Sequence, residues 1–409
     1  MAIDSRTGMT VSYDGSPGIR RFLETLRDGF GWEPEVEAGH LVALTRPDQS
    51  ITLEPGGQFE MSGGAFSTLT ETAAEAARHH TELQHLEEEF GVDFRFFGLN
   101  PYQTPDQLNW MPKPRYQVMR RYLPTRGDRG LYMMGMTCTV QANLDYLDEA
   151  DFARKIRLAT GVSALATALF ANSPILAGEP TGYKSYRAHI WTRVDPDRCG
   201  LHRFIFETDA GFDDYVDWAV NVPMFFVKRK GPNGSHYVPI EGAGTYADLC
   251  AGRIDGLLVE PDDWALHMST LFPEVRARPH LEVRACDVVP PWMLTACPAL
   301  WKGLLYDEDA ADAAWDLVRT LTFDERHSLA ESANRDALHG RRPRGKGTVG
   351  DLAADLLAIA KEGLIRLADA GLGDMADVTY LAPLETIVAE RRTLADRTLA
   401  GEDIHVPFA

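Results

Sequence analysis

Three short stretches of this chain alternate in polarity, and alternation restricts a fold more tightly than composition does. In CTVQANLDY (138–146), Thr139, Gln141, Asn143 and Asp145 alternate with Cys138, Val140, Ala142 and Leu144. In YRAHIWTRV (186–194), the odd positions Arg187, His189, Trp191 and Arg193 share a face if the segment is extended. In HLEVRACD (280–287), His280, Glu282 and Arg284 oppose Leu281, Val283 and Ala285. Period-two alternation describes a strand with one face on a core and the other open to water or ligand. An ordinary wet face carries Thr, Lys, Glu and Ser. These faces carry amides, forked donors, carboxylates and a Trp, a mixture suited to a ligand, although a plain solvated face also accounts for alternation.

Helical spacing separates the strands. PGIRRFLETLRDG (17–29) predicts a helix ending before Gly29, and TLTETAAEAARHHTELQHLEEEF (68–90) a longer one stopped by Gly91. LDEADFARKIRLATGVSALATALFA (147–171) predicts a third, apolar nearly all round in its second half, as a buried helix is. Beyond about residue 300 the pattern is helical. Strands so spaced, with helices between them and gathered at the end, predict an α+β fold with a largely antiparallel sheet. Length accommodates two or three domains, but one large domain over 1–409 is the expectation, with 303–402 its mainly helical C-terminal part.

The formal net charge of −19 argues against a general binder of nucleic acid or anionic membrane, because phosphate backbones demand a basic face. An anionic substrate would need a local Arg or Lys cluster, or bound cations. No run of eighteen apolar residues occurs, and the opening MAIDSRTGMTVSYDG carries no apolar segment of the signal-peptide type. The five cysteines are scattered without a C-x-x-C pair. They fit a reducing cytoplasm, which is the predicted location. Cys138 falls on the apolar side of its strand and is predicted to be a buried, slowly reacting thiol.

The segment ITLEPGGQFEMSGG (51–64) places Glu54 and Glu60 on either side of a backbone break. Glu54, Gln58 and Glu60 share parity, but six residues of unbroken strand span roughly 20 Å, too far for two carboxylates to meet one ion. Pro55-Gly56-Gly57 can shorten that distance or flip the register. A bend that brings both acids to one site suits Mg²⁺, which binds through a few carboxylates plus substrate phosphate. A turn carrying two solvated acids is the other reading.

Basic candidates follow. PKPRYQVM (112–119) sets Arg115 and Tyr116 after a proline-rich loop, and Arg187 lies beside Trp191. A guanidinium so placed needs a partner, either a substrate carboxylate or phosphate held bidentately, or a structural ion pair. GRRPRGKG (340–347) imitates the phosphate-loop pattern G-x-x-x-x-G-K-S/T, but Gly347 stands where Ser or Thr belongs, and a helix-like stretch precedes it. The Walker reading is rejected, and a basic loop touching ATP phosphates stays open. RHHTELQH (78–85) lacks H-E-x-x-H spacing and reads as a surface helix rather than a zinc site.

Several segments together resemble the plant and proteobacterial type 2 glutamate–cysteine ligases, a carboxylate–amine ligase family. They are ITLEPGGQFEMSG, MPKPRYQVMRRYLP, CTVQANLDY, TALFANSPILAGEPTGYKSYRAHIWTRVDPDR, VDWAVNVPMFF, FPEVRARPHLEVRACD and PALWKGLLYDED. They run in family order from about residue 10 to about residue 310, and their joint order carries the specificity.

The resemblance implies a glutamine synthetase-like, twisted antiparallel sheet curved around an ATP and metal site, with helices outside. It implies ATP-dependent joining of the γ-carboxylate of glutamate to the amine of cysteine through γ-glutamyl phosphate, with Mg²⁺ as cofactor and glutamate, cysteine and ATP as the partners. Glu54, Glu60 and Glu282 would hold metal. Arg187 and Arg284 would be the catalytic cations, and Arg115, Tyr116, Gln141, Asn143, Arg187 and Trp191 would line the substrate site. A sister ligase with another amine acceptor, or a silent binding relative, would look alike at this level. The same family leads one to expect a strand of the form G-x-E-x-E ahead of MAIDSRTGMTVSYDG. Its lack here predicts a shortened start, or a divergent relative, with weakened metal binding.

Overall fold

In the computed structural model, which describes residues 1–207, 210–231 and 234–408, helix ends follow local capping chemistry. Helix α1 (Ile19–Phe30) runs through Gly29, which the sequence reading placed outside it, and stops at Gly31 in a left-handed conformation. Helix α2 (Leu69–Phe90) begins at a reciprocal cap between Thr68 and Glu71 and ends at left-handed Gly91, whose N–H bonds the Glu87 carbonyl. Helices α3 (Pro114–Tyr122) and α4 (Gly130–Met136) follow. Helix α5 (Glu149–Leu169) is capped by the Asp148 side chain and is buried on all sides from Leu158 onward, which accounts for its apolar circumference.

Segment 186–194 is not a strand. Ser185 accepts a hydrogen bond from the Ala188 N–H and starts a short helix, α6 (Tyr186–Trp191). Tyr186, Arg187 and Ile190 are its buried positions, at helical spacing. The alternation misled because residues i and i+4 share a face in a helix as well as in a strand. Arg187 and Trp191 do line one recess, whereas His189 and Arg193 turn elsewhere. His189 stacks on Tyr183 with ring centroids 4.2 Å apart, and Arg193 pairs with Asp128 at 2.7 Å.

The strands include β1 (Ala2–Asp4), β2 (Glu33–Glu37), β3 (His40–Arg46), β4 (Gln49–Leu53), β5 (Phe59–Ser62), β6 (Val92–Phe94) and β7 (Ala142–Leu144). β2 to β5 form a four-stranded antiparallel sheet in chain order, and β1 pairs antiparallel with β6. A three-stranded antiparallel sheet joins Val275–Ala277, Leu281–Val283 and β7. Among the described strands, only Cys199–Gly200 and Phe272–Pro273 pair in parallel. The fold is therefore α+β, with its antiparallel pairing divided among small sheets.

Each of the two larger sheets buries one face. The four-stranded sheet sets Leu44 and Ile51 in a core with Phe22 and Leu26 of α1 and Leu86 of α2. The three-stranded sheet sets Leu144, Val275, Leu281 and Val283 in a second core with α5 and the C-terminal helices, including Ala296–Leu305 and Val349–Asp369. Those two helices cross so closely that a Cβ on Gly363 would stand 2.0 Å from the Gly303 carbonyl oxygen. No described helix is long and apolar enough to cross a membrane.

Candidate active site

The polar face of the three-stranded sheet is built by register. Asn143, Glu282 and Arg276 form one cross-strand row. Arg284 N donates to Glu274 O at 3.1 Å, which carries the pairing to the next row. With its amide turned so that the oxygen faces Arg284, Gln141 donates to Glu282 Oε1 (3.1 Å) and accepts from Arg284 Nη1 (3.0 Å). Gln141, Asn143, Glu282 and Arg284, singled out from the sequence for different roles, are neighbours on this face. Glu274 and Arg276 were not singled out from sequence, although Glu274, Arg276 and Arg278 alternate with Pro273, Val275 and Ala277 and the same period-two signal could have found them.

Glu282 is clamped. Arg276 Nη2 reaches its two oxygens at 2.9 and 2.8 Å, and Arg284 Nη1 also donates to it. Burial pushes this carboxyl up, but the charges and hydrogen bonds of Arg284 and Arg276 outweigh burial and hold it at about 2. Its oxygens therefore orient two guanidinium groups.

Glu54 and Glu60 belong to a hairpin. Glu54 N donates to Gln58 O and Gly57 N to Glu54 O, both at 2.9 Å, and Thr52 stands opposite Glu60. Glu54 and Glu60 thus become diagonal neighbours on one sheet face, a spacing of about 7–8 Å rather than the length of a strand. Glycine is required at the bend: Gly57 has φ +84°, and a Cβ on Gly56 would lie 2.0 Å from the Gly135 carbonyl oxygen. The Gln58 amide pins the turn by accepting from Gly56 N (2.8 Å) and donating to the Met134 and Thr137 carbonyls (3.1 Å each).

The residue before Glu54 is gripped from α3. Tyr116 Oη donates to Leu53 O at 2.7 Å, and Lys113 Nζ to the same oxygen at 3.3 Å. The hydroxyl of Tyr116, expected beside substrate, is therefore tied to the hairpin. Lys113 was missed because nothing in its sequence context marks a lysine as buried. It is 8% exposed, and burial followed by Arg115 pushes its ammonium down. Arg115 approaches Tyr116 Oη at 3.5 Å, and its buried Nε has no partner among the described residues.

Glu60 joins the two sheets electrostatically. Its side chain is exposed to solvent, with protein packed close around it. That dense surrounding, then Glu54, then Glu282, push its carboxyl up to about 7, against the pull of Arg284 and Arg276. A carboxyl held up by two other carboxylates marks a place short of positive charge. Among the described residues, no group of three or more His, Cys, Asp or Glu side chains is arranged to hold a metal ion as it stands. The donor chemistry of Glu54 and Glu60 nevertheless fits a hard divalent cation that keeps several of its own waters.

A pH test follows. The unfolded glutamate titrates near 4.5 and the folded one near 7, so between these values the folded protein holds the extra proton. Stability from this group therefore falls as pH rises through 7. Without divalent cation, the thermal midpoint of Glu60→Gln should gain on wild type as pH goes from 5 to 8, and Mg²⁺ should shrink the gap. A constant gap would contradict the coupling.

Arg187 points from α6 toward the end of the three-stranded sheet. It is 2% exposed, donates from Nη2 to Arg284 O at 2.8 Å, and lies 3.7 Å from Asp287 Oδ1. Asp287 is fixed by Asn172 N, Ser173 Oγ and Ser185 Oγ at 2.8, 2.7 and 2.9 Å. Arg187, Trp191, Phe272, Glu274 and Arg284 line a small recess open to solvent. Burial pushes the Arg187 guanidinium down and Asp287 opposes this.

Cys138 is half-buried rather than buried, and burial pushes its thiol up, which disfavours the reactive thiolate. Cys138→Ala should keep near wild-type turnover; a folded but inactive variant would refute this. The basic loop at 340–347 follows a helical turn rather than a strand and pairs Arg344 with Glu325. His79 and His85 of α2 pair with Glu82 and Glu89 at 3.3 and 3.5 Å.

Comparison with known proteins bears on this geometry. A family model described as glutamate-cysteine ligase family 2 matches residues 1–405. The chain is 41% identical over 375 residues to the chloroplastic glutamate–cysteine ligase of Brassica juncea, covering 91% of this chain and 72% of that protein. It is 39% identical over 392 residues to chloroplastic glutamate–cysteine ligase B of Oryza sativa subsp. japonica, covering 95% and 76%. The chloroplastic enzyme of Nicotiana tabacum is 39% identical over 376 residues, covering 91% and 71%. These relatives overturn the cytoplasmic placement read from cysteine usage, since each is a plastid protein by name. Free thiols report a reducing environment and do not distinguish one reducing compartment from another.

Proposed function

The chain belongs to glutamate–cysteine ligase family 2, and we propose that it joins the γ-carboxylate of glutamate to the amine of cysteine with ATP as co-substrate. The observation that carries this reading is the meeting of two halves of a site. Glu60 of the hairpin feels Glu282 and Arg284 of the other sheet, beside a recess walled by Arg187. Acidic oxygens for a cation and guanidinium forks for substrate oxygens then stand within one field. The small antiparallel sheets would together make the curved, glutamine synthetase-like wall around ATP, within a single catalytic domain over 1–409 whose helical part is 303–402.

In the proposed chemistry the γ-carboxylate of glutamate attacks the γ-phosphorus of ATP, releasing ADP and giving γ-glutamyl phosphate. The amine of cysteine then attacks the acyl carbon, sheds a proton and expels phosphate. No protein nucleophile takes part, so positioning and charge stabilisation carry the catalysis. Arg187 and Arg284 hold substrate oxygens, and Glu282 with Arg276 keeps the Arg284 fork aimed. Arg115, Gln141, Asn143 and Trp191 shape the floor and wall of the substrate site. Glu54 and Glu60 would hold Mg²⁺, with Glu282 nearby on the metal side. Mg²⁺ bound there supplies positive charge against the phosphate oxygens. The test follows an atom: glutamate labelled with ¹⁸O in its γ-carboxylate should deliver one ¹⁸O to the released phosphate. Unlabelled phosphate from a cysteine-dependent reaction would remove the acyl phosphate from the scheme.

A further inference from the structure

Among the residues lining the recess beside Arg187, the acid is Glu274. Its backbone is held on both sides, by Glu274 N donating to Gly200 O at 3.2 Å and by Glu274 O accepting from Arg284 N at 3.1 Å. Its carboxylate is different. Arg187 and Arg284 act on it by charge, yet no hydrogen bond or ion pair with a described residue holds it. Across the recess, the buried Nε of Arg187 and the indole N–H of Trp191 also have no partner among the described residues. Arg284 leans over Trp191 and Phe272, its guanidinium carbon 5.4 and 5.7 Å from their ring centroids.

Two guanidinium groups and one open carboxylate around a small aromatic-walled recess are the complement of a zwitterion. A plain carboxylate would satisfy the arginines and leave Glu274 facing nothing. A second anionic group at that end would be repelled by it. An α-amino acid carries an ammonium and a carboxylate on one carbon, so it answers both ends at once. We propose that Glu274 receives the α-ammonium of an amino-acid substrate whose α-carboxylate rests on Arg187 and Arg284, with Trp191 and Phe272 against its side chain. Burial pushes the Glu274 carboxyl up and outweighs the opposing pull of Arg187 and Arg284, and a bound ammonium would add to the pull that keeps it ionised. Glu274 then sets specificity for amino acids over their deaminated counterparts, because a charged group left unpaired in the recess penalises the wrong ligand. The inference deepens the ligase reading and takes from it the two candidate occupants, glutamate and cysteine.

The experiment compares each amino acid with its deaminated counterpart by titration calorimetry: glutamate against glutarate, and cysteine against 3-mercaptopropionate. Wild-type protein should prefer the amino acid by about ten- to a hundredfold in one pair, the scale of a hydrogen bond between charged groups. A preference in the glutamate pair seats glutamate in the recess, and one in the cysteine pair seats cysteine. Glu274→Gln, which keeps the shape, should bring that preference close to unity and raise the matching Michaelis constant while leaving that for ATP unchanged. Equal binding by wild type in both pairs overturns the proposal, and so does an undiminished preference in folded Glu274→Gln. Should the variant fail to fold, the wild-type comparison decides alone. Binding read without turnover separates the two claims. A preference that needs Glu274 in a chain making no γ-glutamylcysteine would sink the ligase reading only, and an active ligase indifferent to Glu274→Gln would sink this inference only.

Discussion

Glu60→Gln should lower cysteine-dependent turnover about a hundredfold or more at physiological Mg²⁺ and raise the Mg²⁺ needed for half-maximal rate. The amide is isosteric but carries no charge, so it cannot balance a cation beside phosphate. Glu54→Gln should act in the same direction, because the hairpin sets both acids on one face. Neither change should unfold the protein, since the turn is held by the Gln58 amide and by Tyr116 and Lys113 on the Leu53 carbonyl. Metal titrations of initial rate, with circular dichroism as the folding check, decide the matter. Wild-type metal dependence in both variants would return the pair to being a solvated turn.

Arg187→Lys should raise the Michaelis constant for an amino-acid substrate about ten- to a hundredfold, or roughly 1.5–3 kcal/mol, with that for ATP little changed. The fold should persist, because lysine keeps a positive charge opposite the buried Asp287, which three other donors already hold. What lysine cannot do is present the open Nε edge of a planar fork to a carboxylate. Arg187→Met is the contrasting variant. It leaves Asp287 buried without its cation and should cost about 3–5 kcal/mol of stability, read by denaturant unfolding. Unchanged constants for both amino acids in Arg187→Lys would make Arg187 structural.

The contrast between the hairpin and α6 shows where sequence was legible. Long helices were readable because their stops are chemical: Thr68 with Glu71 at one end of α2, Gly91 at the other. The glutamate pair was readable because Pro-Gly-Gly can hardly continue a strand. Gln141, Asn143, Glu282 and Arg284 were readable because period two, once real, fixes every face. Yet nine alternating residues at 138–146 yield only the three of β7 in a ladder, with Thr139 in an isolated bridge to Asp287. Strand extent depends on neighbours that the sequence does not name. At 186–194 the spacing of Arg187 and Trp191 fits helix and strand alike, so their shared recess was found by way of the wrong element. Lys113 escaped because its burial is set by partners far along the chain, among them the Leu53 carbonyl, whereas Glu274 and Arg276 sit in an alternating stretch that period two could have marked.

The central claim is that the hairpin acids and the arginine recess form one ligase site. The most direct measurement is ADP release by the purified 409-residue chain with Mg²⁺, ATP and glutamate, as a panel of amines is added in turn. The account expects release that depends on both glutamate and cysteine, matched mole for mole by γ-glutamylcysteine and abolished by removing Mg²⁺. Release driven by another amine and not by cysteine would contradict the acceptor, and a folded chain that releases no ADP with any amine would contradict the account itself.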